Sequence, residues 1–159
     1  MKTTQFLIKP ASSTCSLRCR YCFYEDISNN RTEKNFGIMS RDTVRILLQE
    51  TFFGVQPGDQ VVFAFQGGEP TMAGLDFFRD FVEQVQALRP AGVGTAFAIQ
   101  TNAVLLNQEW AAFFAQNRFL VGISLDGYKE LHNLYRRDGE DRGTWNKIIR
   151  NLQLSSAVE

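Results

Sequence analysis

Thr14-Cys15-Ser16-Leu17-Arg18-Cys19-Arg20-Tyr21-Cys22-Phe23-Tyr24 holds all three cysteines of this 159-residue chain, and its reading decides the rest. The pattern C-x3-C-x2-C lets one tight loop aim three sulfurs at a common point, as soft thiolates do around zinc or an iron-sulfur cluster. A closed structural zinc site needs four protein ligands. The other soft candidate, His132, stands far along the chain with no spacing relation to the loop. Zinc is therefore short of a ligand. A 4Fe-4S cluster gripped by three thiolates instead keeps one iron open to a substrate or cofactor.

Working outward, 44% apolar content and 14 phenylalanines are ample for one buried core, so a single globular domain over residues 1–159 is expected. Lys+Arg and Asp+Glu balance at 17 each, so no net field draws in nucleic acid or an anionic membrane. Residues 1–10 lack a long apolar stretch, and nowhere do about 18 apolar residues run together. An odd, clustered set of thiols fits a reducing compartment, and the expected location is cytoplasmic.

Phe6-Leu7-Ile8 reads as a buried strand leading directly into the cysteine loop, and residues 26–37 as a polar, solvated connection. Ser40 caps a helix with Val44, Leu47, Leu48 and Phe52 on one face. Val61 to Phe65 is apolar on both faces, as in a parallel strand covered by helices. Leu75, Phe78, Phe81, Val82, Val85 and Leu88 follow at helical spacing. Ala96 to Ile99 is a third strand. Asn107 caps a helix bearing Trp110, Phe113 and Phe114; Phe119 to Ile123 is a fourth strand; Thr144 caps a last helix. Strands alternating with helices predict a parallel α/β sheet with right-handed crossovers. In barrel-type versions of that fold the chemistry collects at the C-terminal strand ends, where each strand here meets a polar or glycine-rich motif. A complete barrel runs to about 250 residues, so only about four βα units of a partial (β/α) barrel are expected.

Each motif has a chemical and a plainer reading. Gly67-Gly68 permits positive φ and close approach of main-chain groups to a polar ligand, and Glu69 can accept from an ammonium, yet Gly-Gly-Glu-Pro is also an ordinary turn. Gln66 shares that rim. The rings of Tyr21 and Tyr24 flank the last cysteine, where they pack on a planar ligand or merely on the core. Ser124 offers a hydroxyl to a ribose or carboxylate, or forms a turn; Asp126 caps or turns. The Arg136 fork suits a carboxylate, while Arg137 belongs to a solvated charged loop and His132 is structural.

With an aromatic residue before its last cysteine, the cysteine loop resembles the signature of the radical S-adenosylmethionine (SAM) superfamily, and Gly67-Gly68-Glu69-Pro70 resembles that superfamily's GGEP motif. Lys9 to Ser12, Cys22-Phe23-Tyr24, Gln66 to Thr71, Gln100-Thr101-Asn102, Phe119 to Gly127 and His132 to Arg136 look like the anaerobic sulfatase-maturating enzymes. The resemblance implies a radical SAM partial barrel in which Cys15, Cys19 and Cys22 ligate a 4Fe-4S cluster. It implies that Tyr21, Gln66, Gly67, Gly68, Glu69, Ser124 and Arg136 bind SAM, with Tyr24 on the substrate side. In that family a 5′-deoxyadenosyl radical takes a hydrogen from Cβ of a cysteine or serine of a sulfatase polypeptide, leading to Cα-formylglycine, with a reducing electron donor as second partner.

Two departures stand out: Ala103 and Tyr128 occupy places where the family usually has glycine and proline. The family's proton-accepting aspartate, further strands and auxiliary-cluster domain have no counterpart in these residues, which resemble the N-terminal part of such an enzyme. Alone they are expected to bind a cluster weakly and to modify no sulfatase. The competing readings are another radical SAM peptide-modifying maturase, of thioether-forming or epimerising type, and a non-catalytic metal-binding module.

Overall fold

The computed structural model describes residues 1–155. Four parallel strands, β1 (Thr3–Ile8), β2 (Gln60–Phe65), β3 (Gly94–Thr101) and β4 (Leu120–Ile123), lie in the order β1-β2-β3-β4. Between them run the helices α1 (Phe23–Asn29), α2 (Arg41–Phe52), α3 (Leu75–Leu88) and α4 (Gln108–Gln116), with α5 (Lys129–Tyr135) and α6 (Trp145–Ser155) after β4. A sheet open after its fourth strand is the expected partial barrel.

Register follows the phenylalanines. Phe6, Phe63 and Phe97 stand opposite one another across β1, β2 and β3, with ring centroids 6.2 and 6.0 Å apart. A slip by one residue would turn this rank out of the core, so packing pins the pairing. The same face of the sheet is covered by Leu48 and Phe52 of α2, Phe78, Phe81 and Val85 of α3, Trp110 and Phe113 of α4, and Ile148 of α6. The other face is open, with Leu7 58% and Leu120 75% exposed. The expectation that both faces of Val61 to Phe65 lie under helices therefore gives way: Val61, Phe63 and Phe65 face helices, while Val62 and Ala64 face the concave side that a barrel keeps for its interior.

Several local signals act as anticipated. Ser40 Oγ accepts from Thr43 N at 3.1 Å, and Asn107 Oδ1 accepts from Trp110 N at 3.1 Å. Thr144 precedes α6, but its hydroxyl donates to the Arg136 carbonyl at 3.1 Å. The cap is instead Asn133, whose Oδ1 accepts from Trp145 N at 3.0 Å. Residues 26–37 are not all connection either: α1 runs from Phe23 to Asn29. Seven residues are too few to show helical periodicity, and short helices depend on packing for stability.

Candidate active site at the C-terminal strand ends

All three thiols line one cavity of about 240 Å³, at the rim where β1 to β4 end. Its walls include Tyr21, Tyr24, Gln66, Gly67, Gly68, Glu69, Ser124 and Arg136. Every residue to which the resemblance gives a cluster, SAM or substrate role thus lines one cavity, whereas Asp126, His132 and Arg137 do not. Two further lining residues, Gln100 and Asn102, come from the third strand's motif and were given no role there.

The cysteine loop is held by backbone pairing on both sides. Glu69 N donates to Thr14 O at 2.8 Å, while Arg18 N donates to Arg137 O at 2.7 Å and Arg20 N to Tyr135 O at 2.9 Å. Gly68 is required by this packing as much as by any ligand. Its φ is +59°, and a Cβ there would lie 2.6 Å from Thr14 O and 2.9 Å from Ser12 O. Gly67, at φ +103°, makes room for the Lys9 stem, whose ammonium sits 4.2 Å from the centroid of the Tyr24 ring.

Glu69 is 1% exposed, and its carboxylate is fully engaged within the protein. Oε1 accepts from Thr71 N at 3.1 Å, Thr71 Oγ1 at 2.6 Å and Thr101 Oγ1 at 2.6 Å; Oε2 accepts from Asn102 N at 2.7 Å. A buried carboxylate needs such donors. Its primary task is to lock the glycine turn to the end of β3, which leaves the Gly67-Gly68 main chain to face the cavity. Ala103, where the family usually has glycine, follows Asn102 in the left-handed region at φ +61°. Ala103 itself is fully buried and is not among the residues lining the cavity.

Across the cavity, Tyr21 Oη donates to Asp126 Oδ2 at 2.5 Å. Arg136 Nε approaches the same oxygen to 3.0 Å as an ion pair whose N–H is not aligned into a hydrogen bond. The Arg136 guanidinium also lies 5.4 Å from the Tyr21 ring centroid. Burial opposes ionisation of Asp126, but the Tyr21 hydroxyl and Arg136 outweigh it and hold the carboxyl below its usual range. Burial, reinforced by the bond to Asp126, keeps the Tyr21 phenol protonated well beyond its ordinary range.

His132 is wholly buried and structural, as the sequence suggests. Because Thr144 Oγ1 donates its proton to the Arg136 carbonyl, the 3.0 Å contact with His132 Nε2 requires Nε2 to carry the hydrogen. Nδ1 then accepts from Asp126 N at 3.4 Å. The neutral ring fixes the backbone on which Asp126 and Arg136 sit. Just past the end of β4, Ser124 Oγ accepts from Gln100 Nε2 at 2.9 Å, and Ser124 N donates to Thr101 O at 2.8 Å.

The three thiols line one cavity and are a donor set that soft metals favour. Burial raises the Cys15 thiol and pushes Cys19 up to about 11, so a metal must displace the protons it meets. Three thiols lining one cavity fit a thiolate-held cluster. Among the described residues, no helix is long and apolar enough to cross a membrane.

The Radical SAM superfamily model matches residues 10–158. The chain is 47% identical over 154 residues to the cysteine-type anaerobic sulfatase-maturating enzyme of Clostridium novyi, covering 97% of this chain and 41% of that protein. Against the serine-type anaerobic sulfatase-maturating enzyme of Bacteroides thetaiotaomicron it is 33% identical, covering 96% and 36%. The solved structure of native anSMEcpe with bound AdoMet superposes with a TM-score of 0.87 at 41% identity, over 96% of this chain and 41% of that one. The chain thus spans about two fifths of the length of the relatives it matches. By sequence and by fold, it belongs to the radical SAM superfamily.

Proposed function

We propose that these residues form the SAM-binding part of an anaerobic sulfatase-maturating enzyme, an oxidoreductase that converts a cysteine or serine of a sulfatase to Cα-formylglycine. One observation carries the proposal: the three thiols, the Gly67-Gly68 turn, Ser124 and Arg136 line a single cavity at the strand ends. Identity of 47% to a cysteine-type maturase supports the choice of reaction. Cys15, Cys19 and Cys22 would hold a 4Fe-4S cluster. When bound, that cluster and SAM supply a reductively generated 5′-deoxyadenosyl radical, which removes hydrogen from Cβ of the target residue.

The chain's own residues bind and orient. The Gly67-Gly68 main chain receives the methionine ammonium, with no Cβ in the way. Glu69 acts mostly from behind, holding that turn. Asp126 pairs with Arg136 Nε, and the guanidinium lines the cavity beside the Tyr21 ring, where its fork suits the SAM carboxylate. Gln66 and Ser124 face the ribose side, Tyr21 covers the adenine, and Tyr24 borders the peptide. The polypeptide carrying this part would supply the rest of the barrel, the proton acceptor and the auxiliary clusters. A reducing compartment such as the cytoplasm suits the thiols.

The test is anaerobic reconstitution with iron and sulfide, then EPR of the reduced protein with and without SAM. A 4Fe-4S signal that changes on SAM addition, with 5′-deoxyadenosine released, is expected. A colourless zinc protein, or a cluster indifferent to SAM, overturns the assignment. Incubating the polypeptide carrying these residues with a sulfatase-derived peptide and a hydrazine trap then distinguishes aldehyde formation from thioether or epimer formation.

A further inference from the structure

Gln100-Thr101-Asn102 closes β3 directly behind the cysteine loop, and Asn102 has no part in the binding scheme above. Its side chain is buried, 5% exposed, and wholly engaged. Oδ1 accepts from Val104 N at 3.0 Å, so the amide NH₂ must point the other way. Nδ2 there donates to Ser16 Oγ at 3.1 Å and to Cys15 Sγ at 3.7 Å. Leu17 N donates to the same sulfur at 3.4 Å. Among the described residues, Cys15 alone of the three cysteines receives N–H···S donors. Glu69 fixes the Asn102 backbone, as shown above, so the amide is aimed by two motifs at once.

We infer that Asn102 positions Cys15 and tunes the cluster, raising its reduction potential through the N–H···S contact. The inference rests on the proposed cluster ligation by Cys15, Cys19 and Cys22. One-electron reduction adds one negative charge to the cluster and its ligand sulfurs, with no bond made or broken; the electron comes from an external reductant such as dithionite. A donor aimed at a ligand sulfur favours the more negative state, and hydrogen bonds to sulfur are among the levers that set such potentials. The buried amide thus makes the electron easier to accept.

Asn102→Leu keeps the size and removes the donor. The reconstituted variant is expected to hold as much iron per chain as wild type and to show a more negative midpoint in an EPR-monitored redox titration. An unchanged midpoint at full iron loading overturns the inference. Because leucine can disturb loading, the second measurement uses the unaltered sequence labelled with ¹⁵N-asparagine. Pulsed EPR of the reduced cluster should show a weak ¹⁵N coupling that vanishes in Asn102→Asp, and its absence overturns the inference equally. A wild-type polypeptide carrying these residues in full that takes up no iron-sulfur cluster would overturn the cluster assignment itself, which separates the two failures.

Discussion

The Tyr21 hydroxyl donates to Asp126 Oδ2 at 2.5 Å across 105 residues of sequence, joining the cysteine loop to the end of β4. Asp126 also steadies Arg136, so one carboxylate links two residues proposed to bind SAM. Asp126→Asn keeps the shape and removes the charge. Hydrogen bonds to charged groups contribute about 1.5–3 kcal/mol, so SAM affinity is expected to fall about tenfold or more, with iron content unchanged. Equilibrium dialysis of SAM against the reconstituted variant measures it; unaltered affinity would remove Asp126 from this role.

Glu69→Gln places an amide NH₂ among four donors. One of Thr71 Oγ1, Thr101 Oγ1, Thr71 N or Asn102 N must then lose its acceptor. Leaving a buried donor unsatisfied costs about 1–3 kcal/mol. The variant should unfold at correspondingly lower denaturant, whereas a role confined to ligand contact would leave the apoprotein's stability untouched.

Gly68→Ala sets a Cβ against the carbonyls of Thr14 and Ser12 at a positive φ. Left-handed backbone costs a non-glycine residue about 1–2 kcal/mol, and the clash with backbone adds to it. Iron loading after reconstitution should drop together with thermal stability, because the displaced atoms belong to the cysteine loop.

The chain has a single histidine, which makes its titration readable. Burial first, and then the Arg136 charge, depress the His132 pKa in the folded state. The unfolded chain therefore binds the proton more readily as pH falls through about 6.5. Stability contributed by the neutral ring is complete above that value and declines as pH drops towards the folded pKa. Denaturant unfolding at about pH 7.5 and 5.5 should show this decline in wild type, and His132→Gln should flatten it.

Short-range chemistry determined much of this protein. The spacing of Cys15, Cys19 and Cys22, the caps at Ser40 and Asn107, and the alternation of apolar runs each depend on residues within a turn or a strand of one another. They yield the parallel α/β order and the stations of the site, because local sterics and periodicity act over that distance. The short helix α1 escaped them, having too few residues to display a period. Only the tertiary structure decided which partner each polar group takes. Glu69 is committed to Thr101 and Asn102, some thirty residues away; Asp126 answers to Tyr21; and Asn102 reaches the sulfur of Cys15, 87 positions earlier. A carboxylate or amide can satisfy its hydrogen bonds with many partners, and the choice follows from which strand ends the sheet register brings within reach.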